Sequence, residues 1–253
     1  MNRIKNRLAL ITGASSGIGK EIAKIFASNG VNLILVARRK EKLLELKKEL
    51  AQNDISIKIL VFDVRDREDV IKKLNSLDIT PDILINSAGL ASGISPIQNG
   101  DFEDWDKMID TNVKGLLNVT RTLLPKMIDN GDGHIINIGS IAGHHIYPNG
   151  NVYNATKFAV KGLTEAMNSD LLDTDIKVSS VDPGAVETEF SIVRFHGDIE
   201  KANNMYKGYS PLTPEDIADS VYYVANLPKH VNIPNLIIMP SAQRNVWQIK
   251  KEI

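Results

Sequence analysis

Short runs that are apolar almost throughout punctuate this chain from end to end: LALIT (8–12), VNLILVA (31–37), ISIKILVFD (55–63), DILIN (82–86), HIINIGS (134–140), KVSSVD (177–182) and NLIIM (235–239). A strand with no polar face must be covered on both sides, as in a parallel sheet between two layers of helices. The stretches between the runs supply those helices. In IGKEIAKIFASNG (18–30), Ile18, Ile22, Ile25 and Phe26 fall on one helical face, and Gly30 stands where the helix ends. RRKEKLLELKKEL (38–50) reads as a charged helix, longer helices span about 104–127 and 152–172, and another opens at 213–225. An irregular loop follows the sixth strand as far as about residue 211. This alternation predicts an α/β chain folded as a doubly wound parallel sheet of about seven strands, with helices on both faces and a ligand crevice beyond the carboxyl ends of the strands.

Composition narrows the function classes. At 253 residues a chain buries roughly three-quarters of its unfolded surface, so one large core suffices. No linker or low-complexity stretch divides it, and a single domain over 1–253 is expected. The absence of cysteine rules out disulfides, thiolate metal sites and a cysteine nucleophile. The histidines show no metal-ligand spacing, so no metal is expected. Thirty basic residues against 31 acidic ones give a net charge of -1, which offers no global attraction for nucleic acid. No apolar run approaches the roughly 18 residues of a membrane span. The stretch before Gly13 is shorter than the about 7–15 residues of a secretory h-region. A soluble, cytoplasmic domain of enzyme size is the expectation.

Chemistry is concentrated at the strand ends. TGASSGIG (12–19) joins the first strand to the first helix, with Gly13, Gly17 and Gly19 in a G-x3-G-x-G spacing. Glycines let the backbone turn sharply and approach a ligand, and free N–H groups at a helix start attract a pyrophosphate. Ser15 and Ser16 add hydroxyl donors. The alternative is a turn that is glycine-rich for packing alone. At the end of the second strand an NAD site carries a carboxylate for the 2′-hydroxyl. Here Ala37 is followed by Arg38, Arg39 and Lys40, cations that oppose the dipole at a helix start. A 2′-phosphate held by arginine forks accounts for them and points to NADP. The alternative is a solvated basic turn balanced by Glu41 and Glu45. Tyr153 and Lys157 lie four apart on one helix face, about 6 Å along the axis. A phenol with an ordinary pKa near 10 is a poor acid–base group. An ammonium about 4 Å away favours the phenolate by about 4 kcal/mol at an effective dielectric near 20, or roughly three pKa units.

Taken in order, TGASSGIG, NSAG (86–89), Asn112, Ser140, Tyr153-x3-Lys157 and Pro183-Gly184-x-Val186-x-Thr188 resemble the short-chain dehydrogenase/reductase family, over roughly residues 7 to 240. The resemblance implies a single-domain Rossmann-type fold and an oxidoreductase acting on CH–OH donors. It makes Tyr153 the proton donor to a substrate carbonyl and Ser140 a hydrogen-bond donor to the carbonyl oxygen. Lys157 lowers the tyrosine pKa and holds the nicotinamide ribose, and Asn112 supports a proton relay through that lysine. It places Gly13, Ser15, Ser16, Gly17, Ile18, Gly19, Arg38 and Arg39 around the phosphates. Asp63 and Val64 then lie at the adenine, Asn86, Ala88 and Gly89 at the adenosine ribose and pyrophosphate, and Pro183, Gly184, Val186 and Thr188 at the nicotinamide amide. Ser87 departs from the usual NNAG. A homotetramer is the family default, built on the two long helices, and the Trp247 tail (about 241–253) either lies across a neighbour or frays.

The segments VETEFSIVRFHGD (186–198) and 209–240 are similar to the NADP-dependent 3-hydroxy acid dehydrogenases. That branch implies serine, 3-hydroxypropionate or malonic semialdehyde as the type of substrate. Such a substrate carries a carboxylate that needs a cation or several donors inside a partly dry pocket. Arg194, in a substrate loop about 186–211, is one candidate, unless Glu187, Glu189 or Asp198 pairs with it. His144 and His145 are others, and Tyr147 and Pro148 shape the wall. The rival readings are a carbonyl, 3-oxoacyl-carrier-protein or steroid reductase, and a non-catalytic NADP-sensing protein.

Overall fold

The computed structural model describes residues 2–251, so residues 1, 252 and 253 of the expected domain and tail lie outside the described residues. Its strands are β1 (Leu8–Thr12), β2 (Asn32–Ala37), β3 (Ile57–Val61), β4 (Ile83–Asn86), β5 (Gly133–Ile138), β6 (Ile176–Pro183) and β7 (Asn235–Ile238). They form one seven-stranded sheet in the order β3-β2-β1-β4-β5-β6-β7, and every pairing is parallel. The chain reverses direction across the sheet between β1 and β4, and that switch point is where a doubly wound sheet opens a crevice.

Alternation along each strand divides the core in two. Ala9, Ile11, Leu33, Leu35, Ile83 and Ile85 face α1 (Gly17–Ser28), α2 (Lys40–Glu49) and α9 (Pro214–Ala225). Leu10, Ile34, Val36, Leu84, Ile135 and Val178 face α3 (Arg67–Asn75) and α5 (Leu116–Asp129). On the first side Phe26 of α1 meets Tyr222 of α9 edge to face, centroids 6.1 Å apart at 77°. Gly30 ends α1 as expected. At φ +73 it donates to the carbonyl of Ala27 at 2.9 Å, and Val31 donates to Phe26 at 3.0 Å, the six-to-one and five-to-two closure that favours glycine.

Three elements depart from the sequence reading. The helix α3 was not visible as an apolar stripe because Val70 and Leu74 are its buried residues; Asp66 starts it by accepting from the backbone N–H of Asp69 at 3.1 Å. The helix expected over about 104–127 begins earlier, at α4 (Phe102–Ile109) capped by Asp101, and passes through a π-helical turn at Asp110–Gly115 before α5. The loop to residue 211 contains α7 (Glu189–Arg194) and α8 (Ile199–Asn204), each started by a side-chain cap, Thr188 and Asp198. The remaining long helix, α6 (Asn151–Asp170), matches its expected position. Among the described residues no helix is long and apolar enough to cross a membrane.

Candidate active site

A cleft of about 500 Å³ opens beyond the carboxyl ends of the strands. One end is built from the glycine turn. Gly13 and Gly17 hold φ of +70 and +52, and a Cβ on Gly13 would stand 3.0 Å from the backbone of Ala88. Thr12 fastens the β1 and β4 ends together: its Oγ1 accepts from the N–H groups of Ser87 and Ala88, each at 3.0 Å. Ser16, extended at the N-cap position of α1, makes no side-chain cap, so the first-turn N–H groups keep their donor capacity for an anion. The Arg39 guanidinium lies across this turn, bonded to Ser15 Oγ at 3.1 Å and Ser16 Oγ at 2.6 Å, and reaches Glu189 at 3.2 Å. Arg38 stands 3.7 Å from Asp63, which Arg65 also engages at 2.7 Å. These features fit a phosphate-rich dinucleotide at this end of the cleft.

The other end gathers Ser140, Tyr147, Tyr153, Lys157 and Arg194 around one wall. Tyr153 and Lys157 come from the first turns of α6, and Ser140 follows β5, its hydroxyl accepting from Ala142 N–H at 3.1 Å and lying beside the Tyr153 phenol. The resemblance has Lys157 lower the pKa of the phenol. In the structure the ammonium sits 5.9 Å from the Tyr153 ring centroid and donates to the carbonyl of Ile138 at 3.0 Å. Burial pushes the Tyr153 phenol well above its ordinary value, and Tyr147 adds to this; the Ser140 hydroxyl and the Arg194 charge pull the other way. Burial pushes Lys157 down to about 8, against the carboxylate of Asp182. Asn112 lies behind the lysine rather than on the cleft wall. Its side chain accepts from Leu90 N–H and donates to Leu90 C=O, both at 2.8 Å, and donates to Thr156 at 3.0 Å. The π-helical turn that carries it displaces the residue from the regular helical register, a feature that recurs at functional sites.

Arg194, 7% exposed, is the cation of this wall. Its guanidinium stacks 5.1 Å from the Tyr147 ring and 5.6 Å from the Tyr153 ring, and it donates to the Tyr147 hydroxyl. Its Nε is buried without a partner. The acidic residues that might have neutralised it are engaged elsewhere: Glu189 with Arg39, and Asp198 with Lys201. Among the described residues no carboxylate lies within ion-pair distance of Arg194. The histidine candidates fare differently. His144 is bound to the buried carboxylate of Asp182, and His145 is exposed; neither lines the cleft. Asn86 also turns inward, to Thr120 and Asn137, each at 2.9 Å.

A search among protein families matches residues 7–197 to the short chain dehydrogenase family. The chain belongs to the short-chain dehydrogenases. Among relatives, it is 46% identical over 242 residues to the NADP-dependent 3-hydroxy acid dehydrogenase YdfG of Salmonella typhi, covering 93% of this chain and 96% of that one. It is 44% identical to sulfoacetaldehyde reductase 2 of Chromohalobacter salexigens, covering 93% and 95%. Among solved structures, the closed form of serine dehydrogenase complexed with NADP+ superposes with a TM-score of 0.90 at 45% identity, covering 94% of this chain and 96% of that one.

In this short-chain dehydrogenase several cleft residues escaped the sequence reading. Gln243 is buried and accepts from the N–H of Ala185 at 2.9 Å, and a Cβ on Gly184 would stand 2.4 Å from its Oε1. With Val246 and Ile249 it brings the C-terminal segment onto the cleft, while Trp247 is exposed. Asp182, under the site, accepts from Ser180 and Asn235; an acidic residue inside the run KVSSVD was the available sign of a buried polar network.

Proposed function

We propose that this short-chain dehydrogenase uses NADP to catalyse reversible oxidation of a small 3-hydroxy acid to the 3-oxo acid or semialdehyde, of the serine and 3-hydroxypropionate/malonic semialdehyde type. NADP(H), when bound, supplies the hydride acceptor or donor at C4 of its nicotinamide. The glycine turn, Arg38 and Arg39 hold its phosphates, and Arg39 sits where a 2′-phosphate would exchange for the Glu189 carboxylate. Asp63 and Val64 flank the adenine, and Pro183 to Thr188 the nicotinamide amide.

The chain's own groups handle the proton. Ser140 donates to the substrate oxygen, and Tyr153 gives that oxygen its phenolic proton in reduction and receives one in oxidation. A phenol kept neutral by burial is ready to donate. Lys157, with a pKa near 8, can return a proton to it around neutral pH, and Asn112 holds the chain behind the lysine.

The observation that carries the acid specificity is Arg194. A buried guanidinium with an open Nε and no carboxylate partner, stacked on the catalytic phenol, suits an anionic substrate that supplies the missing charge. The names of the relatives agree with it. We also place the enzyme in the cytoplasm as a homotetramer, for which the exposed Leu117 and Phe158 on α5 and α6 provide apolar surface.

The test follows NADPH absorbance with L-serine, 3-hydroxypropionate and a neutral hydroxy ketone, in the wild type and Arg194→Ala. Loss of a charge-assisted contact is expected to cut kcat/KM for the acids about 100-fold, near 2–3 kcal/mol, and to change the ketone only a few-fold. Equal losses for all three would refute acid recognition by Arg194. A preference for the ketone would favour a general carbonyl reductase, and no turnover of anything would favour a sensing protein.

A further inference from the structure

His196 occupies a position where helices ordinarily place glycine. The helix α7 closes with Gly197 N–H donating to Ile192 at 2.9 Å and His196 N–H to Val193 at 3.1 Å, which turns the residue after the cap left-handed. That residue is His196, at φ +53, although the next one is itself a glycine at φ +90. A left-handed residue other than glycine is uncommon, though histidine enters the region more readily than most; the His196 side chain, 59% exposed, makes a few contacts from there.

Those contacts lead to a buried carboxylate. His196 Nε2 stands 3.1 Å from Oδ2 of Asp104 on α4, a residue 6% exposed whose Oδ1 accepts from Ser92 at 2.6 Å. Lys107 lies further off, at 3.8 Å. Gly93 fits between, at φ +69, and a Cβ there would stand 2.5 Å from Asp104 Oδ2. Its N–H donates to the carbonyl of Arg194 at 2.9 Å. The carbonyl of Arg194 is therefore held by Gly93, which packs against Asp104, and two residues further on His196 reaches the same carboxylate.

We infer that His196 and Asp104 are positioning residues, a clasp between α7 and α4 that sets the Arg194 guanidinium over Tyr147 and Tyr153. The inference rests on the reading of Arg194 as the receptor of the substrate's acid group. The imidazole touches no reacting atom; it acts through Arg194.

The experiment compares His196→Gly, His196→Gln, Arg194→Ala and the double variant His196→Gly/Arg194→Ala in steady-state kinetics with 3-hydroxypropionate and a neutral hydroxy ketone. Glycine suits the left-handed cap, so His196→Gly is expected to melt no lower than the wild type and to bind NADPH unchanged. Its KM for 3-hydroxypropionate should rise about tenfold, as for a displaced binding group, with kcat and the neutral substrate little changed. A glutamine amide, which can donate to the carboxylate, should recover most of that loss. In the double variant the histidine change should add nothing to the Arg194→Ala effect. If Arg194→Ala is selective for the acid while His196→Gly leaves KM alone, the clasp is wrong and the acid reading stands. Additive effects in the double variant would also overturn it, because His196 would then act by another route. If Arg194→Ala shows no acid selectivity, the substrate reading fails and takes the clasp with it.

Discussion

The proton-transfer role proposed for Tyr153 sets two demands that pull apart. Reduction needs a phenol that holds its proton until the carbonyl oxygen takes charge, and oxidation needs one that can lose it. The dry wall around Tyr153 favours the first, since burial raises it, and the hydroxyl of Ser140 and the charge of Arg194 moderate the effect. Replacing Tyr153 with Phe keeps the ring packing against Phe190, 5.6 Å between centroids, and removes the proton. Turnover should fall by at least 100-fold, the usual reach of general acid–base catalysis, while NADPH affinity by fluorescence titration stays within a few-fold. Retained turnover would remove Tyr153 from the proton path. The residues facing the cleft were readable because spacing on one helix puts Tyr153 and Lys157 together. The surroundings were not: which cation neighbours the phenol depends on where α7 packs, and no local pattern encodes that. His196 and Asp104 are legible only once the fold brings together segments far apart in the chain.

At the scale of elements, α2 starts with Arg39 at its N-cap and Lys40 at its first position, against the sense of its own dipole. The 2′-phosphate proposed to bind here would relieve the repulsion at this helix start. Removing Arg38 and Arg39 together, by substitution with alanine, should weaken NADPH about 100-fold or more, in line with losing charge-assisted phosphate contacts. NADH should weaken only a few-fold, and α2 itself should gain slightly in stability. Dissociation constants for the two nucleotides decide the matter; matched losses would mean the arginines do not read the 2′-phosphate. Most strands announced themselves because burial on both faces leaves little that is polar in their sequence, although β6 carries Asp182 and the edge strand β7 is only half-buried. The helix α3 hid because one narrow edge suffices to bury it, through Val70 and Leu74. The short helices α7 and α8 hid because each is six residues long, below the length at which periodicity can be recognised.

For the molecule as a whole, acid stability has an identifiable contributor at the opposite end of the sheet from the cleft. His134, second residue of β5, is buried, with Nε2 2.8 Å from Ser179 Oγ and Nδ1 unpartnered. Burial, with the charges of Lys177 and Arg7, lowers its pKa to about 3 from 6.5. The unfolded chain takes up a proton below pH 6.5 that the folded one refuses until about 3. Stability therefore falls with falling pH across that window, by at most about 1.4 kcal/mol per pH unit. Denaturant unfolding of His134→Gln between pH 7 and 4 should show a slope shallower by about one proton than the wild type; identical slopes would exclude the histidine as a source.

The packing of Phe26 in α1 against Tyr222 in α9 also sets an order of events during synthesis. The earliest helix of the chain packs on β1 and β2, but its side toward α9 acquires its cover only once Pro214–Ala225 has been added. A half-made chain emerging from the ribosome thus carries an uncovered seam, of the kind that invites aggregation and holdase binding. Closure of this layer is a late, long-range step.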